Sequence, residues 1–361
     1  MDPPSAPPRP EPGAGYAEPA TACPARSRSP GSAFVGVVGD DVLASGPRFR
    51  ECNLSEQASA GVGIVRTSFS WEIVERTSGF FNTSYYDRYV LAMAAHGLRV
   101  LPVLYYPPAH RSKGPAGAER ARFYPPRSNA AFGRFARLMA KRYGPSGTLW
   151  AENPATFKLP IRSWQIWNEP NLKLYWPPKA NARQYTRLLA AASKQIKSVD
   201  PRAEIVTAGL PESRIGVPVK RYLADMYRAG AARWFDTVAV NAYAPTAGGV
   251  MARLRETRRV MSKAGDSRAR LWATEVGWAT SGPAHPFRLS AAGQARQIGR
   301  LYRAAYAARR KLRLRGVVYY SWLDAQPYRE DFWGLHTGLL DRLSAPKPGL
   351  DAFKRVAAKY G

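Results

Sequence analysis

Acidic residues are scarce in this 361-residue chain: 26 Asp plus Glu stand against 54 Lys plus Arg, a formal net charge of +28. Histidine is scarcer still, at four residues, and cysteine scarcest, at two. No His-x-x-x-His spacing occurs, and Cys23 and Cys52 lack metal-ligand spacing. A structural zinc site is therefore excluded and no metal centre is expected. The two cysteines either pair as one disulfide or stay as free thiols. No run of about 18 apolar residues exists, which excludes a membrane-spanning helix. Nor is there a zinc finger, an RNA-recognition signature or a basic-aromatic repeat, so the positive charge does not read as nucleic-acid binding. Much of that charge falls on predicted helices. Between Arg296 and Arg315 the chain carries Arg300, Arg303, Arg309, Arg310, Lys311 and Arg313 without one acid. This reads first as a solvated outer helix face, and secondly as attraction to a polyanion such as an acidic polysaccharide.

What is present divides into two parts. Residues 1–32 hold Pro3, Pro4, Pro7, Pro8, Pro10 and Pro12 and show no apolar periodicity. Such a segment cannot bury a core and is expected to be a disordered, partly extended linker. It lacks the apolar stretch of a secretory signal. A secreted or cell-surface location is nevertheless expected, with a cytoplasmic one left open. Residues 33–361 hold short apolar runs alternating with longer amphipathic ones. The predicted strands are Phe34–Val38, Gly63–Thr67, Arg99–Leu104, Ser163–Trp167, Glu204–Thr207, Thr237–Val240, Arg270–Thr274 and Gly316–Tyr320. Helical patterns lie between them, around 54–60, 85–96, 129–143, 182–199, 219–229, 250–263 and 291–312, with a last one at 350–360. Polar caps such as Ser290 mark helix starts, and Gly97, Gly144 and Gly265 mark stops. Strands apolar throughout and alternating with helices imply a parallel sheet covered by helices. Eight such units predict an α/β fold, a single-domain (β/α)8 TIM barrel. A doubly wound open sheet is the competing architecture, but no Gly-x-Gly-x-x-Gly turn follows the first strand.

Two segments stand out against the shortage of acids: Trp164-Gln165-Ile166-Trp167-Asn168-Glu169-Pro170-Asn171 and Leu271-Trp272-Ala273-Thr274-Glu275-Val276-Gly277-Trp278. Each sets a glutamate beside tryptophans at the end of an apolar run. A carboxyl group next to a flat aromatic face suits sugar chemistry, which needs proton transfer and a surface for a pyranose ring. In a barrel, strand ends form the catalytic rim. Glu169 after strand four, Glu275 at strand seven, Arg66 at strand two, Tyr243 after strand six and Trp322 after strand eight all fall there.

These motifs resemble the retaining glycoside hydrolases of clan A, most closely glycoside hydrolase family 39, with family 5 also similar. The resemblance runs from about Phe34 to the C-terminus. It implies that Glu169 is the general acid/base and Glu275 the nucleophile. Retaining enzymes hold two such carboxyls about 5–5.5 Å apart. It implies further that Asn168 contacts a sugar hydroxyl, that Arg66 keeps Glu275 ionised and oriented, and that the Tyr243 hydroxyl contacts the nucleophile. Trp322 would floor the reacting-sugar site, and Trp278, Trp71 and Trp176 would line further subsites. Relatives carry His-x-Tyr on strand six where this chain has Asn241-Ala242-Tyr243. They also carry a strand-three histidine where it has Tyr105-Tyr106-Pro107-Pro108. His110, His285 and His336 fall in loops.

The expected activity is metal-free and cofactor-free double displacement on a β-linked oligo- or polysaccharide. Only one helix and a short tail follow strand eight, which favours an open cleft and endo action. The alternatives are an exo-acting β-xylosidase-like enzyme and a non-catalytic glycan- or polyanion-binding protein on the same barrel.

Overall fold

The strands form where both faces of the chain can be buried. Val35-Gly36-Val37-Val38 is buried along its whole length, as are Ser163–Ile166 and Thr237–Asn241. The computed structural model describes residue 23 and residues 30–361, other than 45, 116, 119, 214 and 327–329. The Pro-rich segment expected to be a linker therefore lies almost wholly outside the described residues. Cys23 and Cys52 are joined as a disulfide, with Cα atoms 4.6 Å apart.

In chain order the units are β1 (Val35–Val38), α1 (Pro47–Ser59), β2 (Ile64–Ser70), α2 (Ser84–Ala95), β3 (Arg99–Tyr105), α3 (Asn129–Tyr143), β4 (Ser163–Ile166) and α4 (Ala182–Lys197). Then come β5 (Glu204–Val206), α5 (Val219–Arg228), β6 (Thr237–Asn241), α6 (Ala247–Lys263), β7 (Arg270–Val276), α7 (Ala291–Leu312), β8 (Leu314–Tyr319) and α8 (Pro348–Tyr360). After a break at 207–209, Leu210–Pro211 continues the line of β5 and pairs with β6. Every pairing is parallel, and β1 pairs with β2 on one side and β8 on the other. The sheet is thus closed, which rules out the open doubly wound alternative.

The helices are built from the same local rules that mark them in sequence. α3 buries Phe132, Phe135, Ala136, Met139 and Tyr143, one stripe of the helical period. The side chains of Ser128, Asn181, Thr246 and Ser290 each accept a backbone N–H at the start of α3, α4, α6 and α7. Gly97 and Gly265 take positive φ after α2 and α6. Gly144 follows α3 at φ −69° and so stops that helix without the left-handed turn.

Inside the barrel, Val38, Ile64, Leu101, Val206, Ala239, Trp272 and Val318 form a separate apolar cluster. Every strand but β4 contributes one of them. Side chains alternate along a strand, so the residue two positions later points to the same interior. That step leads from Ile64 to Arg66, from Ala239 to Asn241, from Trp272 to Thr274 and from Val318 to Tyr320. An apolar floor therefore lies directly beneath a polar layer at the C-terminal ends of the strands.

Trp272 is the largest member of the floor and is fully buried. Trp272→Ala is expected to lower the unfolding free energy by about 3–5 kcal/mol, read as a fall in the urea midpoint. A loss below about 1 kcal/mol would mean that the floor collapses around the missing ring.

Candidate active site

Arg66 lies within β2 rather than at its end, because the strand continues to Ser70. Its guanidinium is buried and engaged on all three nitrogens. Nε donates to Gln165 Oε1 at 2.7 Å, Nη1 to Glu275 Oε1 at 2.7 Å and Nη2 to Asn168 Oδ1 at 2.9 Å. Gln165 is fixed in turn by its own Nε2, which donates to the Thr207 carbonyl at 3.0 Å. Burial alone would weaken the charge on Arg66, but Glu275 and then Asp40 favour it, and the balance raises its pKa. The guanidinium is a permanent cation here.

Glu275 is the penultimate residue of β7. Its second oxygen, Oε2, accepts the Tyr243 hydroxyl at 2.7 Å. Burial first, then the charge of Glu275, push the Tyr243 phenol well above the usual tyrosine range. It therefore keeps its proton and serves as a donor. Glu275 thus receives one hydrogen bond on each oxygen, from a cation and from a neutral hydroxyl, which is the environment of a held carboxylate.

Glu169 has a different setting. β4 stops at Ile166 because Trp167 takes φ 71°, and Glu169 takes φ 44°. Both are left-handed conformations that side chains rarely adopt. They are held by surrounding bonds: Trp167 N–H to the Leu104 carbonyl, Trp167 Nε1 to the Tyr175 carbonyl, and Glu169 N–H to the Gly209 carbonyl. The Glu169 carboxyl accepts one side-chain bond, from Asn241 Nδ2 at 2.7 Å. Its other oxygen has no partner among the described residues. Burial, then the Glu275 charge, push its pKa up to about 8, against the opposing pull of Asn241 and Arg66.

Asn241 bonds the Glu169 carboxyl and lies beside Glu275 in the sheet. A register shift at Val240/Asn241 sets Asn241 opposite Glu275 instead of Thr274, the re-aiming that a bulge achieves. Thr274 Oγ1 then donates to Asn241 Oδ1 at 2.9 Å. That bond turns the amide so that its N–H points at Glu169. Gly209 makes room: a Cβ there would lie 2.2 Å from Asn241 Oδ1 and 2.9 Å from Thr274 Oγ1.

Of the residues singled out from sequence, Arg66, Asn168, Glu169, Asn241, Tyr243 and Glu275 come together. The four tryptophans do not join them. Trp322 is fully buried and donates its indole N–H to Asn53 of α1 at 2.9 Å. Trp71 stacks on Phe135 and donates to Glu75. Trp176 packs edge-on to Trp167 and Tyr185, and Trp278 donates to the Ala244 carbonyl. Each indole has an internal acceptor and almost no exposed ring, so none offers a face to a sugar. Tyr320 takes the inward position on the β8 side, with its ring 6.0 Å from that of Tyr243. Half-buried Trp333 and Phe287 also border Tyr243, at 5.0 and 6.1 Å, and His285 stacks on Trp333. Tyr106 and Tyr175 lie close enough to Glu169 to feel its charge, and Phe123 packs edge-on to both. Gln165, Thr274 and Tyr320 escape a reading of motifs alone. The first two are polar residues in otherwise apolar strands, and that anomaly is their signal. Among the described residues no group of three His, Cys, Asp or Glu side chains is placed to hold a metal ion.

The barrel itself is an architecture seen in solved glycoside hydrolases. The chain is similar to a family 39 glycoside hydrolase from Bacteroides cellulosilyticus, at 19% identity and TM-score 0.65, covering 93% of this chain and 65% of that one. It is similar to a monomeric β-xylosidase from Caulobacter crescentus, at 16% identity and TM-score 0.67, covering 92% and 70%. A family 39 enzyme from Xanthomonas axonopodis pv. citri gives 16% identity and TM-score 0.68, covering 94% and 68%. The chain thus spans about two thirds of the length of these neighbours, and at such identities the likeness establishes the fold. No protein-family model matches the chain, and no curated protein does.

The coupling of the carboxyls sets a pH response. In a carboxyl-resolved NMR titration Glu169 is expected to keep its proton through neutrality and lose it near pH 8. Glu275→Gln removes the neighbouring charge and lowers that value; Asn241→Ala removes the donor to the ionised form and raises it. Between the ordinary value of 4.5 and about 8 the native state binds a proton that the unfolded state does not. This contribution to stability is full below the lower value and is lost as pH rises through the upper. Glu169→Gln should flatten the change in unfolding free energy across that window.

Proposed function

We propose that the chain is a retaining glycoside hydrolase acting on a β-linked oligo- or polysaccharide. The observation that carries this reading is the unequal treatment of two neighbouring carboxyls. Glu169 is protonated at neutral pH with one oxygen free, and Glu275 is held between Arg66 and Tyr243. The first is fitted to give a proton to a glycosidic oxygen, the second to attack the anomeric carbon. Attack forms a glycosyl ester on Glu275 as the leaving sugar takes the Glu169 proton. The ester has no charge, so one cause of the raised Glu169 pKa disappears at that moment. The Glu169 pKa therefore falls, which keeps the group ionised and available as the base for the water that hydrolyses the ester and frees Glu275. The Asn168 amide, anchored through Oδ1 on Arg66, has its N–H groups left for a sugar hydroxyl.

The solved neighbours named as family 39 glycoside hydrolases and as a β-xylosidase support a β-glycoside as substrate. Aromatic rings on both sides of the carboxyl pair favour a cleft that holds several sugars, and hence endo action. The Cys23–Cys52 disulfide accords with a secreted or cell-surface location.

A screen of aryl β-glycosides and β-linked polysaccharides tests the reading. Glu169→Ala is expected to lose about 10²–10⁴-fold in kcat/KM, and Glu275→Ala still more. The wild-type kcat/KM should fall above about pH 8 as Glu169 loses its proton. NMR of the first-formed product should show the anomeric configuration of the substrate. Full activity in either variant, or an inverted product, would sink this mechanism. Binding of glycans without any hydrolysis would leave the barrel as a glycan-binding protein.

A further inference from the structure

Arg122 differs from several other cations of the barrel that are committed to acids. Arg66 is committed to Glu275, Gln165 and Asn168. Arg111 is committed to Glu75, and Lys347 to Asp324. Arg122, half-buried in the loop between β3 and α3, meets no acid among the described residues. Its Nε is buried without an acceptor. What holds the group is aromatic: its central carbon lies 5.2 Å from the ring centres of both Tyr106 and Phe123.

Those rings belong to the wall beside Glu169. Tyr106 follows β3 directly and stacks on Tyr105 with ring centres 3.5 Å apart. Phe123 stands edge-on to Tyr175 at 5.7 Å, and the Tyr175 carbonyl holds the Trp167 indole, two residues before Glu169. Burial raises the pKa of the Tyr106 hydroxyl; the Arg122 charge works against it, and Glu169 adds a smaller upward push.

We infer that Arg122 forms a subsite for the carboxylate of a uronic acid residue on the Glu169 side of the cleft. This rests on the reading of the cleft as a glycan site. A guanidinium laid against rings keeps its planar fork of N–H donors at the edge, which matches the two oxygens of a carboxylate. The same rings provide a face for the sugar that carries it. Leaving a half-buried cation without an anion is unfavourable, and an arriving carboxylate removes that penalty. A neutral sugar would not.

The test is a binding titration that needs no turnover. It uses the Glu169→Gln variant at about pH 6.5, where native Glu169 is protonated and Gln is its neutral isostere. The probes are β-1,4-linked oligoglucuronate and oligomannuronate, each beside its methyl ester, and a sulfated β-glucan oligomer, in about 150 mM salt to screen the general positive charge. Calorimetry should show at least one uronate bound about tenfold more tightly than its own ester. Adding Arg122→Gln should remove that preference, and Arg122→Lys should restore part of it. Adding Arg300→Gln on α7 should leave it intact. An acid-to-ester ratio unchanged by Arg122→Gln overturns the subsite, as does failure of every uronate to bind below millimolar concentration. A stronger gain for the sulfated oligomer overturns the assignment to a carboxylate. Failure to find hydrolysis in the glycoside screen would leave this preference standing, so the two readings fail separately.

Discussion

The ion pair between Arg66 and Glu275 is the interaction on which the rest of the site depends. Both groups are buried, so their charges are removed from water at a cost that mutual attraction alone does not dependably offset. The geometry provides the remainder. Every nitrogen of the guanidinium has an acceptor, and both oxygens of the carboxylate have donors. The pair spans β2 and β7, and the other two arms of Arg66 reach the end of β4. One side chain therefore fixes the relative positions of the strands that carry both glutamates. A pair of this kind is poor evidence of stability, since apolar residues of equal volume serve stability as well. Its effect is electrical. With Glu275 held as an anion, the neighbouring Glu169 is pushed toward its neutral form.

The barrel makes that effect large. Immediately below Arg66, Asn241 and Thr274, on the same strands, lie Ile64, Ala239 and Trp272. The floor is apolar, so the field of the pair is weakly screened on that side. The polar layer above is held from its neighbours rather than from solvent. Thr274 orients Asn241, Thr207 orients Gln165, and Gly209 leaves the space in which Asn241 approaches Glu169. Fold and site are one construction here: along β2, β6 and β7, and just past the end of β8, the inward-facing residues change from apolar to polar at the level of the carboxyl pair.

The barrel was legible in the sequence because strands buried on both faces are apolar throughout, and because capped amphipathic helices separate them. The glutamates were legible because acids at the ends of such strands are rare in a chain so rich in arginine. The tryptophans beside them were not. Indole rings have so much apolar surface that proximity to a motif does not distinguish a cleft wall from core. Trp71, Trp176, Trp278 and Trp322 all went to core, each with an internal acceptor for its N–H. The aromatic wall beside Tyr243 was equally illegible, for the opposite reason. Phe287 and Trp333 lie in loops after different strands, and nothing local in either loop says that the two will meet. Strand ends were misjudged where polar residues continue a strand into the site, as Ser68 and Ser70 do in β2.

Asn241 stands where the resemblance to known hydrolases leads one to expect histidine, and its chemistry changes the site in a specific way. A histidine there would bring a second titrating group within reach of Glu169, and the site would lose protons in coupled steps. An amide does not titrate. It donates a fixed hydrogen bond to the Glu169 carboxyl at every pH, which favours the ionised form and works against burial and the Glu275 charge. The outcome, near 8, lies between two failures. For the proposed double displacement, a lower value would leave too little of the acid protonated at neutral pH, and a higher one would weaken it as a proton donor and leave it protonated when the second half needs a base. Asn241 thus acts as a constant counterweight. The Thr274 hydroxyl keeps it in that role by occupying the only amide atom that accepts hydrogen bonds.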